Sequence, residues 1–390
     1  MKIDKKNPLH WFSLAWMSFL LLLLLPTRLL RKENRSSKTV ILYGHKLHGN
    51  PNAIYEYSLK KQSPSQDLNI FFLTMDPHYF AEIKEKDNIL FALNPFDLMK
   101  VVRADCIISD HGLHTLQLLL KLSDITFVDV WHGIPFKGFT ADDFTLQHQY
   151  DEIWVSSILL KNLYVQKFGF KEARVQATGY GRTDLILHYH LRKDEIREQL
   201  GIKAGKKVIL FAPTWKQDQQ DRNEIPFNLS QEEFLQDLEN FADTNNAFFI
   251  IRYHLNSALK DMMGRRNMLY LPLQEYPNGE ELLAISDCLI TDWSSMAFDM
   301  MVLDKPIVFL DVPPPFKNGF SLPADYRVGD LVTNMSELLE SLAESCSAQD
   351  EYLNRVNEEY QRVKRLVYDD TIDGKSTSRY FARLQKLLIG

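Results

Sequence analysis

The stretch Ser286–Leu310, SDCLITDWSSMAFDMMVLDKPIVFL, leaves few folds open. Cys288 to Ile290 form a short apolar run and Ile307 to Leu310 a second; between them Met296 to Leu303 carry apolar residues at helical spacing. Strand, helix and strand in that order make a βαβ unit, whose strands run parallel because the crossover is a helix, not a tight turn. The turn that opens the helix is Thr291-Asp292-Trp293-Ser294-Ser295. Its hydroxyls and free backbone N–H groups stand at the positive end of a helix, a place suited to an anion. The same residues also suit an N-cap, with Asp292 or Ser294 as the acceptor.

The alternation extends over most of the chain. Thr39–Tyr43, Asn69–Thr74, Cys106–Ser109, Ile125–Asp129, Ile153–Ser156 and Val175–Thr178 read as strands. A charged helical segment, Leu185–Leu200, then runs to Gly201, and a second series follows: Lys207–Phe211, Ala247–Arg252, Met268–Tyr270, Cys288–Ile290 and Ile307–Phe309. Two consecutive blocks of alternating β and α predict an α/β protein of two Rossmann-like, doubly wound domains. The expected division is residues 39–185, a linker helix at 186–202, and 203–390 with the terminal helices. Paired domains of this kind hold ligands in the cleft at the carboxyl ends of their strands.

The 390 residues suffice for two such domains, and 45% hydrophobic with 25% charged residues is a globular composition. Cys106, Cys288 and Cys346 have no metal or redox spacing, which fits a reducing compartment and no disulfide framework. Residues 1–38 hold eight Lys/Arg against two Asp/Glu, so the remainder carries a net charge of −12. So acidic a body argues against nucleic acid as a partner.

The basic end flanks an apolar run, Trp11–Leu25, interrupted only by Ser13 and Ser18. As a helix these residues cover roughly 22 Å, short of a bilayer core of about 30 Å. Extending the run through Pro8–His10 and Pro26–Leu30 would let it span, with Arg28 and Arg31 reaching back to the interface. A helix lying in the inner leaflet is the other membrane arrangement, and a buried core helix the soluble one. No small-residue cleavage site follows the run, which argues against a signal peptide. More Lys/Arg follow it (Arg28, Arg31, Lys32, Arg35, Lys38) than precede it (Lys2, Lys5, Lys6), which places the large domains in the cytoplasm. Residues 1–38 are therefore read as the anchor of a membrane-tethered cytoplasmic protein.

Further segments follow strands and face the expected cleft. In Trp131-His132-Gly133-Ile134-Pro135-Phe136-Lys137, the glycine and proline enforce a turn that presents His132, whose imidazole suits proton removal from a hydroxyl. Ala212-Pro213-Thr214-Trp215-Lys216 follows the strand ending at Phe211 and offers Thr214 and Lys216 to a phosphate. Arg252-Tyr253-His254 places a guanidinium beside an imidazole, a pair suited to a pyrophosphate or its leaving group. Each has a structural alternative: a bonded turn histidine, a simple proline turn, a surface ion pair. Thr178–Asp184 reads as a hinge before a capped helix, and Asn50-Pro51 as a cap and first helical residue. His111 and His114 stand at helical spacing without an acidic or cysteine partner, so no metal site is read there, and no cofactor is expected. P-loop, GxGxxG, GxSxG and HExxH motifs are missing from the sequence.

Together these segments resemble the CDP-glycerol glycerophosphotransferase family of teichoic-acid-type polymer synthesis. The resemblance rests on NPNAIYEY, WHGIPFK, ATGYGRTD, the strand leading into APTW, RYH, SDCLITDWSS with its KPIVFL strand, and DGKSTSR at Asp373–Arg379. It runs in order from about residue 39 to 385. It implies a GT-B-like pair of domains, the first carrying the base for the acceptor and the second binding a CDP-activated polyol phosphate. On that pattern an acceptor hydroxyl attacks the β-phosphorus and CMP leaves. His132 matches the WHG histidine and would be the general base; Arg252 and His254 match the Arg-x-His segment and would stabilise the pyrophosphate. Ser294 and Ser295, with Thr291 and Asp292, match the TDYSS turn; Thr214 would line the same pocket, with Gly133 and Lys137 also toward substrate. Trp293 replaces the usual Tyr, and Ile134 and Gly138 replace a common Thr and Lys, which leaves the identity of the polyol open.

The function expected is transfer of glycerol phosphate, or a related polyol phosphate, from CDP-glycerol to a lipid-linked glycan acceptor at the inner leaflet of the cytoplasmic membrane. The short length resembles single-addition members more than polymerases. A GT-B glycosyltransferase using a nucleotide sugar, and a catalytically silent membrane-anchored nucleotide-binding protein, are the alternatives.

Overall fold

The computed structural model describes residues 7–30, 37–60, 67–214, 225–252, 264–314, 316 and 318–390. Packing divides the chain into two units. The N-terminal unit comprises residues 1–132, 141–182 and 375–390; the C-terminal unit comprises 133–140 and 183–374.

The N-terminal unit is built on β1 (Lys38–Tyr43), β2 (Leu68–Thr74), β3 (Ile89–Phe91), β4 (Cys106–Ser109), β5 (Thr126–Asp129), β6 (Glu152–Val155) and β7 (Val175–Ala177). They form one parallel sheet in the order β3-β2-β1-β4-β5-β6-β7. Runs such as Val40-Ile41-Leu42 and Cys106-Ile107-Ile108 are buried on both faces. An unbroken apolar run is therefore what these strands require, not an alternation.

The C-terminal unit contains β8 (Lys207–Phe211), β9 (Ala247–Ile251), β10 (Met268–Tyr270), β11 (Cys288–Thr291), β12 (Ile307–Leu310) and β13 (Asp330–Val332). Its parallel sheet runs β10-β9-β8-β11-β12-β13. Both sheets thus reverse direction beside their first strand, between β1 and β4 and between β8 and β11. A doubly wound sheet opens a ligand site at that reversal, beyond the carboxyl ends of the strands. The α/β, GT-B-like architecture of two Rossmann-like units is therefore present.

The expected strands all form, to within a residue at each end. Two three-residue edge strands, β3 and β13, were not expected; each buries a single residue, too little to show periodicity. The segment read as one linker helix is two, Gly181–His190 and Lys193–Gln199. The break falls at Leu191-Arg192, where Arg192 is non-helical and Leu191 is exposed.

The last helix, Ser376–Leu388, packs in the N-terminal unit, not with the C-terminal one. Its Tyr380, Phe381 and Leu384 join the core of β1, β2 and β4, with Phe381 against Tyr57 at a ring distance of 4.8 Å. Arg383 forms a bidentate pair with buried Glu152, whose carboxylate also accepts from Trp154 Nε1 at 2.8 Å.

At the chain's start, Asn7 caps a helix over Pro8–Leu24 that continues as a 3₁₀ turn over Leu25–Leu30. Together they are long and apolar enough to cross a membrane. One side is docked: Met17, Leu20 and Leu21 are buried, Thr115 donates to Met17 Sδ and Trp16 to the Leu93 carbonyl. Leu9, Phe12, Phe19, Leu22 and Leu23 are exposed. Arg28 does not reach outward as expected. Its side chain is enclosed and donates to the carbonyls of Val102 and Ala104. Arg31 lies outside the described residues.

Candidate active site

In the N-terminal unit the loops after β1, β4 and β5 converge on His132. Trp131 has a positive φ of 43° and Gly133 one of 146°, so the backbone turns sharply on either side of the histidine. Three side chains hold that turn. Asp129 Oδ1 accepts from Trp131 N at 2.7 Å; buried Asn50 donates to the carbonyls of Val130 and Trp131 and accepts from Arg182 N; Arg182 in turn donates to the His132 carbonyl.

The His132 ring is oriented through Nδ1, 2.9 Å from the Asp110 carbonyl oxygen. A carbonyl only accepts, so Nδ1 carries the proton and Nε2 is the proton acceptor of the neutral ring. The protein packed around the ring, and then His111, hold its proton affinity well below the ordinary imidazole value, although part of the residue is open to solvent. His132 is therefore neutral at pH 7. His111 stacks on it with ring centres 4.5 Å apart and planes 15° apart, and its own Nδ1 lies 2.7 Å from Asp110 Oδ1. His45 adds a ring 5.0 Å from His111, and His48 one at 6.4 Å.

In the C-terminal unit the reversal between β8 and β11 brings Thr214 against the Thr291–Ser295 turn. Asp292 is fully buried, and its Oδ1 accepts from the backbone N–H of Thr214 at 2.6 Å and of Trp293 at 2.5 Å. Thr291 donates to the Ala212 carbonyl at 2.7 Å. The Thr214 hydroxyl is enclosed without a hydrogen-bond partner. Ser294 Oγ accepts from Met296 N at 3.3 Å, and both serines are partly exposed. The Trp293 indole donates to the Val312 carbonyl and lies 4.8 Å from the Phe320 ring, while Arg327 stacks over it at 3.4 Å.

The sequence model for CDP-glycerol:poly(glycerophosphate) glycerophosphotransferases matches residues 27–386. The chain belongs to this family. A Staphylococcus aureus teichoic acid glycerol-phosphate transferase is 25% identical over 374 residues, 87% of this chain and 91% of that one. A Staphylococcus epidermidis teichoic acid poly(glycerol phosphate) polymerase is 26% identical over 296 residues, which make up only 39% of its length. Among solved structures, the wall teichoic acid polymerase TagF superposes with a TM-score of 0.74 at 20% identity, covering 96% of this chain and 94% of that one, a likeness of fold. The chain is thus an enzyme of CDP-glycerol glycerophosphotransfer in cell-wall polymer synthesis.

Within this glycerophosphotransferase, not every expected residue is placed to meet substrate. Thr291 and Asp292 are buried behind the turn and spend their side chains bracing it to the β8 loop. A carboxylate would also repel a phosphate. The helix after the turn is short, Met296–Met300 followed by a 3₁₀ turn at Met301–Leu303, so it concentrates little positive charge at its start. The N-cap position is Ser295, whose side chain makes no capping bond, not the expected Asp292 or Ser294; Ser294 Oγ only accepts from Met296 N. Arg252 donates to the carbonyls of Tyr276 and Pro277. Gly133 and Lys137 belong to the short segment that packs in the C-terminal unit, where Lys137 bridges to Phe320. His254, Tyr253, Trp215 and Lys216 lie outside the described residues.

Asn50, Asp110 and His111 are the residues that sequence reading undervalued. Asn50 is not the helix cap; His48 occupies that position and Asn50 reaches the Trp131 turn instead. His111 and His114 do not share a helical face, since His111 lies in a bend and His114 has a positive φ. Among the described residues no group of three or more His, Cys, Asp or Glu is arranged to hold a metal. The departure at Gly138 has a steric cause: a Cβ there would lie 2.2 Å from the Asn318 carbonyl oxygen, which excludes the lysine common in the family.

Proposed function

We propose that this enzyme transfers glycerol phosphate from CDP-glycerol to a hydroxyl of a membrane-borne, lipid-linked glycan acceptor, with His132 as the general base. The observation that carries the reading is the fixed tautomer of His132, which directs Nε2 to accept a proton. The acceptor oxygen bonds to the β-phosphorus of the donor as its proton passes to Nε2. The bond from that phosphorus to the bridging oxygen breaks, and CMP leaves with the electron pair. An imidazole held far below its ordinary value is a weak base; the negative donor phosphates raise its affinity as they arrive. Proton removal belongs to the N-terminal unit and donor binding to the C-terminal one, with Ser294, Ser295, Thr214, Gly133 and Lys137 toward substrate and Arg252 supplying charge. Thr291 and Asp292 keep the turn in shape. His254 is assigned to the pyrophosphate by resemblance alone. Such a division fits phosphoryl transfer, which is mostly positioning and electrostatics.

The match to nearly the whole length of a glycerol-phosphate transferase supports glycerol phosphate as the transferred group. The exposed side of the Pro8–Leu24 helix supports attachment to the inner leaflet of the cytoplasmic membrane. Because the opposite side is docked, the helix lies along the surface on this reading. Serine at Leu9, Phe12, Phe19 and Leu23 should release the enzyme from anionic vesicles in flotation; continued flotation would refute the attachment.

The decisive assay measures CMP release from labelled CDP-glycerol with a lipid-linked disaccharide. His132→Ala should lower turnover at least about 100-fold, while calorimetry shows donor binding retained. Full activity of that variant would remove His132 as base, and turnover only with a nucleotide sugar would overturn the donor assignment.

A further inference from the structure

His132 does not stand alone at the reversal of the N-terminal sheet. Asp110, the residue after β4, holds two histidines at once: its carbonyl oxygen takes the Nδ1 proton of His132, and its carboxylate lies 2.7 Å from Nδ1 of His111. His111 then covers the face of the His132 ring in near-parallel contact. The carboxylate is buried, whereas the His111 side chain is 28% exposed. A buried carboxylate keeps its charge where hydrogen-bond donors or a cation compensate it, and the hydrogen-bond partner of this one is His111 Nδ1.

We infer that Asp110 and His111 form a charged pair whose imidazolium, stacked on His132, keeps the catalytic ring unprotonated until the anionic donor arrives. The inference rests on His132 as general base and assigns His111 a positioning and electrostatic role, with no contact to the reacting atoms. The surrounding groups agree with one proton held at His111. Burial opposes charge on Asp110 and on His111, yet their attraction outweighs it, lowering the carboxyl to about 2 and raising the imidazole. His45 is driven down to about 3 by burial and then by His111, and His114 is also lowered, first by burial. His114 is bonded to the Tyr43 hydroxyl. Asp129 faces His111 from the end of β5, and Arg182 faces His132 from the Gly181–His190 helix. His48 completes the ring of imidazoles from the loop after β1.

The sign is definite. Removing the positive charge beside His132 makes that ring easier to protonate, so the acid limb of the kcat profile moves to higher pH. For charges this close and partly screened, the movement is about one pH unit or more. The test follows acceptor-dependent CMP release by the full chain from pH 4.5 to 8.5. His111→Gln should move the acid limb upward. Asp110→Asn retains the carbonyl to His132 but deprives His111 of its counter-charge, and should move the limb the same way. His111→Arg preserves a stacked cation and should leave the limb near the wild-type position. An evenly lowered His111→Gln profile with an unmoved limb would overturn the inference, as would an equal shift in His111→Arg. Should Asp110→Asn fail to fold, the two His111 variants still decide. Turnover by His132→Ala would instead defeat the assignment of the base, whatever the His111 variants do.

Discussion

Asp129 offers a prediction whose sign depends on two opposed effects. It ends β5, its Oδ1 accepts from Trp131 N, and its Oδ2 is enclosed with no hydrogen-bond partner. Burial pushes its carboxyl up from the ordinary value to about 7, with the Trp131 bond pulling the other way and Asp110 adding to the rise. An acid with a raised folded pKa binds more protons folded than unfolded, so its contribution falls as pH climbs from about 4 to about 7, then levels off. A displacement of roughly three units amounts to about 4 kcal/mol lost across that window. Asp129→Asn retains the Oδ1 acceptor and cannot ionise. Its amide leaves an unpaired donor in place of Oδ2, at about 1–3 kcal/mol, but the protonated wild-type carboxyl bears a similar burden at low pH. The variant should therefore match the wild type near pH 4.5 and exceed it by about 2–4 kcal/mol at pH 8. Asp110, whose lowered carboxyl favours folding at the same pH values, is common to both proteins. Hydrogen exchange of the β4 and β5 amides reports this unit's stability even if the chain unfolds in stages. A difference independent of pH, or one that favours the wild type as pH rises, would mean that Asp129 is ionised and partnered in the fold.

Two other substitutions test the scaffold and the donor turn. Arg383→Ala strands the buried Glu152 carboxylate beneath Trp154; the N-terminal unit should lose about 3 kcal/mol, partly recovered by adding Glu152→Gln, as measured by the same exchange experiment. An unchanged stability would show that the pair is replaceable by water. Arg327 stacks on Trp293 with Nε and Nη1 enclosed and without hydrogen-bond partners, and Asp311 and Asp292 face its charge. Arg327→Ala should weaken CDP-glycerol binding by about tenfold or more in calorimetry, and equal affinity would assign Arg327 to packing alone.

The strands were legible because both sheets are parallel and covered on both faces, which forces continuous apolar runs such as Val208–Phe211 and Ile307–Leu310. The short edge β13 carries no such run; β3 lies within the apolar Ile89–Leu93, but pairs over only three residues. The destination of the last helix was not legible either: Tyr380, Phe381 and Leu384 define an apolar stripe, but a stripe specifies that something is covered, not which sheet lies under it. Asn50 shows the same limit. Its neighbours Gly49 and Pro51 gave every local reason for a cap, whereas its bonds run 80 and 81 residues onward to Val130 and Trp131. His132 could be found because glycine and proline mark its turn; His111 was weighed only with His114 at helical spacing, and the acidic Asp110 beside it was passed over.

The donor turn carries little positive charge of its own. A five-residue helix contributes little dipole, hydroxyls are neutral, and Asp292 adds a negative charge just behind them. The turn by itself therefore does not balance the negative charge of a diphosphate. On the proposed reading the turn would set position, and attraction would come from cations of the same unit such as Arg252, Lys137 and Arg327. Carbonyl bonds such as those from Arg252 to Tyr276 and Pro277 orient a guanidinium without neutralising it. Positioning by Ser294 and Ser295 and attraction by the arginines are thus separate properties. Substitution of the serines should fall mainly on kcat and substitution of the arginines mainly on donor affinity, since only the charge acts at a distance.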